Sequence, residues 1–184
     1  MELAEMWDAA RRRLSDAPRE RLGVLIQPRR ILGLARAPRI VPRGSVWHLG
    51  VLLLGAGDDA GAGGGAGAGG GGVGGESGGP VFATGQIVRA REEVRRGFTA
   101  ESQRERSALA GAARRGGFTE GEIVHLDWQP IDLDALARGE ASGPLAVIDG
   151  VPSIRWSRGA GYAPLERYLD EQVELLRHPP AGAT

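Results

Sequence analysis

Residues 45–88 decide the fold: they read SVWHLGVLLL at 45–54, a glycine- and alanine-rich tract at 55–79, and PVFATGQIV at 80–88. The tract holds 15 glycines in 25 positions, and half of its other residues are alanine. Such small side chains cannot bury enough apolar surface to offset the backbone entropy lost on ordering. We therefore predict that 55–79 is a disordered loop inserted at the tip of a β-hairpin, with the flanking apolar runs as its two strands.

Length and composition narrow the class of protein. The chain has 184 residues and no cysteine, which excludes a disulfide framework, a thiolate zinc site and a cysteine nucleophile. About 150 residues remain outside the tract and the tail, a number typical of one domain. We predict a single domain over 1–184 with a flexible tail at 179–184.

Charge is balanced overall but uneven along the chain. Residues 1–50 carry ten arginines against five acidic residues, whereas residues 119–184 carry five against eleven. The net charge of zero indicates that these parts neutralise each other, so we do not expect nucleic-acid binding. The N-terminus lacks signal-peptide features, and the longest apolar run is too short to cross a bilayer. We predict a cytoplasmic protein that does not bind membranes.

Helical spacing and cap residues predict three helices. Apolar residues recur at helical spacing from Leu3 to Leu14. A second helix is predicted from its cap at Thr99 to about Arg115, where Gly116 and Gly117 follow as stop signals. Pro164 opens a third helix, whose apolar stripe comprises Leu165, Tyr168, Leu169, Gln172, Val173 and Leu176.

The remaining segments are predicted to be extended. Arg30–Arg36 and Arg39–Val41 are short pieces interrupted by prolines, which predicts edge strands. Glu122–Gln129 alternates as a half-buried strand does. Asp149-Gly150 supplies the positive φ angles of a type I′ hairpin turn between strands at 144–148 and 151–157. The order α, β, β, β, α, β, β, β, α predicts an α+β fold with a mainly antiparallel sheet, curved or forming a partial barrel.

The histidines are candidates for chemistry. His125 and Asp127 are predicted to share one strand face, where a carboxylate could orient the imidazole or both could bind a metal with His48 as third ligand. A solvated strand face explains this pair without a metal, and a partly buried structural role explains His48. We therefore predict no metal site and no cofactor.

Arginines are candidates for holding an anion. Arg95 and Arg96 precede the N-terminus of the second helix, where free N–H groups and the helix dipole favour negative charge. Ordinary capping of an exposed first turn explains the same residues. Arg89 and Arg155 complete the candidate ligand-binding set.

The glycine tract does not match a nucleotide-binding loop. A phosphate loop requires a lysine, and this chain contains none. The dinucleotide fingerprint must open a helix, whereas a predicted strand follows this tract. Nucleotide binding is therefore not expected.

Several short motifs together carry a resemblance: Val46–Leu53, Ala83–Gly85, Val88–Ala90, Gly143–Leu145, Asp149-Gly150, Arg155-Trp156 and Pro164–Leu169. With them, most of the chain outside the tract resembles a family of small, uncharacterised actinobacterial proteins, some of which are labelled glutaminase. One glutaminase class uses a Ser-x-x-Lys nucleophile and another a cysteine. This chain has neither lysine nor cysteine, so the resemblance assigns no catalytic residue.

Two functions from different classes follow. The first is a binding or interaction module that holds a small anionic ligand or a protein partner, and it is the one we expect. The second is an amidase-type hydrolase, with Ser102 or another hydroxyl as nucleophile and His125 with Asp127, or His48, as the base.

Deleting residues 57–78 and closing the gap with a short turn should leave folding nearly intact. Loop-closure entropy changes slowly with length, so the free energy of unfolding should change by less than about 2 kcal/mol. Urea denaturation of the full and shortened chains measures this difference, and a larger loss of stability would show that the tract contributes to the folded structure.

Overall fold

The computed structural model describes residues 2–27, 37–57, 79–93, 101–157 and 159–180. The described residues form four helices, α1 (Leu3–Arg13), α2 (Glu101–Arg115), α3 (Leu133–Ala137) and α4 (Leu165–Arg177). They also form ten strands, β1 (Glu20–Ile26), β2 (Arg39–Leu49), β3 (Leu52–Gly55), β4 (Val81–Ala83), β5 (Gln86–Arg89), β6 (Ile123–Leu126), β7 (Gln129–Pro130), β8 (Leu145–Ile148), β9 (Val151–Ile154) and β10 (Ala163–Pro164).

Two units share the chain, and each draws on separated stretches of sequence. Unit 1 comprises Met1–Arg19, Val46–Thr84 and Gln129–Thr184, and unit 2 comprises Glu20–Ser45 and Gly85–Trp128. Strand β2 begins in unit 2 and ends in unit 1. The expected single domain over 1–184 stays a prediction.

The apolar run at 45–54 was predicted to be one strand. In the structure it forms a hairpin instead. The chain turns at Gly50 and Val51, where Gly50 has a φ of 63°. The end of β2 then pairs antiparallel with β3, so that Trp47 lies opposite Leu54. Glycine permits this left-handed turn without strain, and the turn buries β3 completely.

The glycine-rich tract joins two adjacent antiparallel strands, as predicted. Strand β3 pairs with β4, and Leu54 lies opposite Val81. Residues 58–78 of the tract lie outside the described residues. Beyond β4 the run 80–88 divides, because β4 pairs with β7 in unit 1 whereas β5 pairs with β6 in unit 2.

An arginine holds the two ends of the tract together. The Arg11 guanidinium donates to the carbonyl oxygens of Gly55, at 3.2 Å, and of Gly79, and Asp8 binds the same side chain at 3.2 Å. The Gly55 N–H also donates to the Pro80 carbonyl at 2.8 Å. Burial lowers the pKa of Arg11, and the nearby Asp8 carboxylate partly offsets that change. We call this set of contacts the neck.

A three-stranded sheet in unit 1 has the order β10-β9-β8 and is antiparallel throughout. Asp149 and Gly150 connect β8 to β9 with φ angles of 50° and 78°, which confirms the predicted hairpin turn. Helix α4 packs on β9 and β10, and its predicted stripe is confirmed by four buried residues, Leu165, Tyr168, Leu169 and Val173.

Helix α1 forms as predicted, and its apolar face enters the core of unit 1. Trp7 is 1% exposed, and Met6, Ala10 and Leu14 are also buried. They belong to one cluster with residues of β2, β3, β4, β8, β9 and α4. Arg13, in the last turn of α1, binds Asp170 and Glu174 of α4. The short helix α3 was not predicted, although the Asp132 carboxylate caps it by accepting from the Ala135 N–H at 2.8 Å.

Unit 2 combines parallel and antiparallel pairing around its own core. Strand β6 pairs antiparallel with β5 and parallel with β1, which was not predicted. The core consists of Ile40, Val88, Ala90, Ala112, Ala113, Phe118, Val124 and Leu126. Arg39–Val41 was predicted to be a short edge strand. In the structure it is the start of the eleven-residue β2. Ile40 is fully buried, and this burial favours a strand despite Pro42.

The predicted class, α+β with mainly antiparallel pairing, is confirmed, with four helices among the described residues instead of three. The predicted helix ending at Arg115 is confirmed. Its cap at Thr99 and the piece Arg30–Arg36 lie outside the described residues, as does the tail from residue 181. In the ranges described, no helix has the length and apolar content that crossing a membrane requires.

Two neighbouring glycines test how α2 ends. A Cβ at Gly116 would collide with the carbonyl oxygen of Ile40, whereas a Cβ at Gly117 would meet no atom within 4 Å, although φ there is 104°. Gly117→Ala should therefore lower the free energy of unfolding by about 1–3 kcal/mol through backbone strain alone. Gly116→Ala should cost more than Gly117→Ala, because a backbone atom must move. Equal losses, measured by urea denaturation, would contradict close packing of α2 on β2.

Candidate ligand-binding groove

The β2–β3 turn in unit 1 is fixed by side chains from three elements. The Tyr168 hydroxyl of α4 donates to the Leu49 carbonyl at 2.8 Å and accepts from the Val51 N–H at 2.9 Å. The Gly50 carbonyl accepts from the Thr84 hydroxyl at 3.1 Å, and His48 Nε2 lies 2.8 Å from the same oxygen. The turn is thereby held in one conformation.

An open groove of about 400 Å³ lies beside this turn. It is lined by Val51, Ala83, Thr84, Pro144, Arg155, Trp156 and Ser157. These residues come from the β2–β3 turn, the end of β4, the start of β8 and the segment that follows β9. All of them belong to unit 1, so one folded unit supplies the whole lining.

Trp156 gives the groove an apolar side, and Tyr162 contacts Arg155 from outside the lining. Trp156 is 55% exposed, far more than the 1% of Trp7 and the 2% of Trp47 in the core. Tyr162 is 39% exposed, and its ring centroid lies 5.4 Å from the guanidinium carbon of Arg155. A guanidinium over a ring face is attracted by the ring quadrupole, so Tyr162 restricts the motion of Arg155.

Arg155 also differs from other arginines of unit 1 in its charge environment. Several of those arginines bind carboxylates: Arg11 binds Asp8, Arg13 binds Asp170 and Glu174, Arg138 binds Glu140, Arg167 binds Glu171, and Arg177 binds Glu174. Throughout the part of the chain that the structure describes, no carboxylate lies within ion-pair distance of Arg155. Its positive charge is therefore available to an anion from solution.

Two hydroxyl groups complete the polar lining. The Thr84 hydroxyl donates its proton to the Gly50 carbonyl. Toward a ligand, its oxygen can therefore act only as a hydrogen-bond acceptor. Ser157 Oγ accepts from the Gly159 N–H at 3.4 Å, which leaves its own proton free to donate. The groove therefore presents donors from Arg155 and Ser157.

The other predicted ligand-binding arginines lie elsewhere. Arg89 is in β5 of unit 2, and its guanidinium donates to the Gly121 carbonyl at 3.4 Å. Arg95 and Arg96 lie outside the described residues. Of the two predicted arginines that the structure describes, Arg155 lines the groove and Arg89 does not.

The predicted catalytic residues divide between the units. His48 lies near the end of β2 in unit 1, where its Nε2 contacts the Gly50 carbonyl oxygen. Ser102 is exposed in the first turn of α2 in unit 2. His125 and Asp127 also belong to unit 2, but they do not share a strand face as predicted. Strand β6 ends at Leu126, and Asp127 adopts a left-handed conformation with a φ of 53°.

The expected solvent-facing position of His125 was wrong. Its side chain is fully buried, and Nε2 lies 2.5 Å from the Glu20 carboxylate. Parallel pairing of β1 with β6 places Leu22 opposite His125 and brings Glu20 to the ring. Sequence reasoning missed Glu20 because it missed β1.

Sequence reasoning also missed most of the groove. Trp156 was named only among the residues that carry the resemblance, and neither Thr84 nor Ser157 was predicted to contact a ligand. One sequence signal could have pointed to this region. Trp156 and Tyr162 lie at the two ends of a glycine-containing segment, and neither belongs to a strand or helix pattern that would bury it.

Comparison with protein-family models, with curated proteins and with solved structures finds no match to this chain.

Tyr168 should make the stability of the protein depend on pH in the alkaline range. Burial raises the pKa of Tyr168 above its ordinary value, and the hydrogen bond from Val51 partly offsets that change. The unfolded chain therefore loses this phenolic proton first, near pH 10. The free energy of unfolding should be unaffected by this group below about pH 10 and should fall as the pH rises above it.

Tyr168→Phe isolates this effect. At neutral pH it should destabilise the protein by about 1–3 kcal/mol, because the Val51 N–H and the Leu49 carbonyl lose their partner. It should also make the fall in the free energy of unfolding above about pH 10 less steep. Tyr162→Phe, which alters an exposed tyrosine, is the control. Urea denaturation at pH 7 to 11 measures both effects, and an unchanged alkaline slope in Tyr168→Phe would contradict the prediction.

Proposed function

We propose that the protein is a binding module whose groove in unit 1 holds a small anionic ligand. One observation carries this proposal: Arg155 is exposed at a groove, beside an exposed tryptophan, without a carboxylate partner among the described residues. A cation in this setting attracts an anion and can form charge-assisted hydrogen bonds with it.

The size and rigidity of the groove support this proposal. Ligand sites typically enclose about 300–1,000 Å³ and combine apolar walls with a few polar groups, and the groove volume of about 400 Å³ lies in this range. The Arg155 N–H donates to the Pro144 carbonyl at 2.9 Å, while Tyr162 contacts the guanidinium. Side chains held in place before binding lose less entropy when the ligand arrives.

The amidase-type hydrolase stays a prediction. It requires a serine or threonine hydroxyl within hydrogen-bond reach of a histidine. Among the hydrogen bonds described above, His125 contacts a carboxylate and His48 contacts a backbone carbonyl. The groove offers the stronger basis, so we favour binding over catalysis.

The proposal is tested with acetate, benzoate and inorganic phosphate as probes. A ligand that binds only the folded state raises the melting temperature, by an amount that grows with its concentration. At least one probe should do so for the native chain. Arg155→Gln should abolish the increase, because it removes the charge and keeps a polar side chain of similar reach.

Arg167→Gln is the matched control. Arg167 is an exposed arginine of unit 1 that lies outside the groove and binds Glu171 on the same helix, so its variant should keep the native response. A response that survives Arg155→Gln, or that Arg167→Gln abolishes equally, would contradict binding at the groove.

A further inference from the structure

We infer that the groove selects a flat aromatic ring that bears a single carboxylate, an inference that rests on the proposed function and names its ligand class. Both halves of such a ligand meet a matching wall. The carboxylate matches Arg155 and Ser157, and the ring matches Trp156.

The charge of the lining sets the charge of the ligand. Arg155 is the one ionisable residue among the seven that line the groove, and its single positive charge balances one negative charge. A carboxylate carries one negative charge, whereas a phosphate monoester carries about 1.5 to 2 near neutral pH. The planar guanidinium fork matches the oxygens of both groups, so the charge is what distinguishes them here.

The neutral lining favours a ring. Val51, Ala83 and Pro144 contribute apolar surface, and Trp156 presents a large aromatic one that is 55% exposed. Aromatic side chains prefer stacked or edge-to-face contacts with other rings beyond the gain from burial alone. A flat aromatic ring gains this additional contribution, whereas a puckered aliphatic ring of the same size gains only from burial.

Benzoate and cyclohexanecarboxylate separate these two cases. They carry the same charge and the same number of carbon atoms, and they differ in whether the ring is flat. Ligand-observed NMR titration of the native chain should give a Kd for benzoate about three- to tenfold lower, the range expected of an aromatic contact.

Variants of Trp156 assign the preference to one side chain. In Trp156→Leu the two Kd values should become equal, whereas Trp156→Phe, which restores a ring, should recover part of the preference for benzoate. Both variants change an exposed side chain, and circular dichroism verifies their fold. Arg167→Gln should leave both Kd values unchanged.

Phenyl phosphate tests the carboxylate half. It keeps the flat ring and replaces the carboxylate by a group of higher charge. The additional charge loses hydration at a lining with one cation, and this uncompensated cost should make phenyl phosphate bind more weakly than benzoate. Tighter binding of phenyl phosphate would overturn the assignment of a carboxylate.

The outcomes distinguish this inference from the proposed function. If benzoate and cyclohexanecarboxylate bind equally and Arg155→Gln weakens both, the aromatic inference is wrong and anion binding stands. If neither acid binds the native chain, the aromatic inference is wrong, and anion binding at the groove is wrong as well when acetate and inorganic phosphate also fail to raise the melting temperature. If Arg155→Gln weakens neither acid, both are wrong. A benzoate preference that persists in Trp156→Leu would also overturn the inference.

Discussion

The hydroxyl of Tyr168 is the contact on which the arrangement of unit 1 depends. It joins α4 to both sides of the β2–β3 turn, through the Leu49 carbonyl and the Val51 N–H. The fit is close enough that a Cβ at Gly50 would collide with this oxygen. Because Val51 lines the groove and Thr84 is tied to Gly50, one buried hydroxyl links the position of a helix to the shape of a surface site. The groove is thus a product of core packing.

Elements whose signals lie within a few residues could be predicted from the sequence. The Asp149-Gly150 turn follows from backbone preferences at two positions, and α1 and α4 follow from apolar residues on one helical face. The antiparallel strands around the glycine-rich tract were predicted correctly as neighbours. Their lengths were not, because Gly50 introduces a turn into a run of apolar residues that has no alternation to reveal it.

Features formed by distant residues could not be predicted in this way. His125 and Glu20 meet across 105 residues of sequence, through a parallel pairing that no local pattern specifies. The groove likewise combines residues 51, 83, 84, 144 and 155–157. Arg155 was a candidate because of its charge. Its suitability for ligand binding depends also on the exposed aromatic side chains of Trp156 and Tyr162 beside it. The charge of a residue can be read from a sequence, whereas the fold is needed to show that no described carboxylate lies near it.

The neck formed by Arg11 has a consequence for protein engineering. Gly55 and Pro80 are joined by a backbone hydrogen bond, and Arg11 binds the carbonyls of both Gly55 and Gly79. Because β3 and β4 are hydrogen-bonded neighbours, the described residues on either side of 58–78 are held about one strand spacing apart. A second folded domain whose own termini are adjacent matches this spacing. The neck thus provides a grafting position at which this protein can carry a cargo domain.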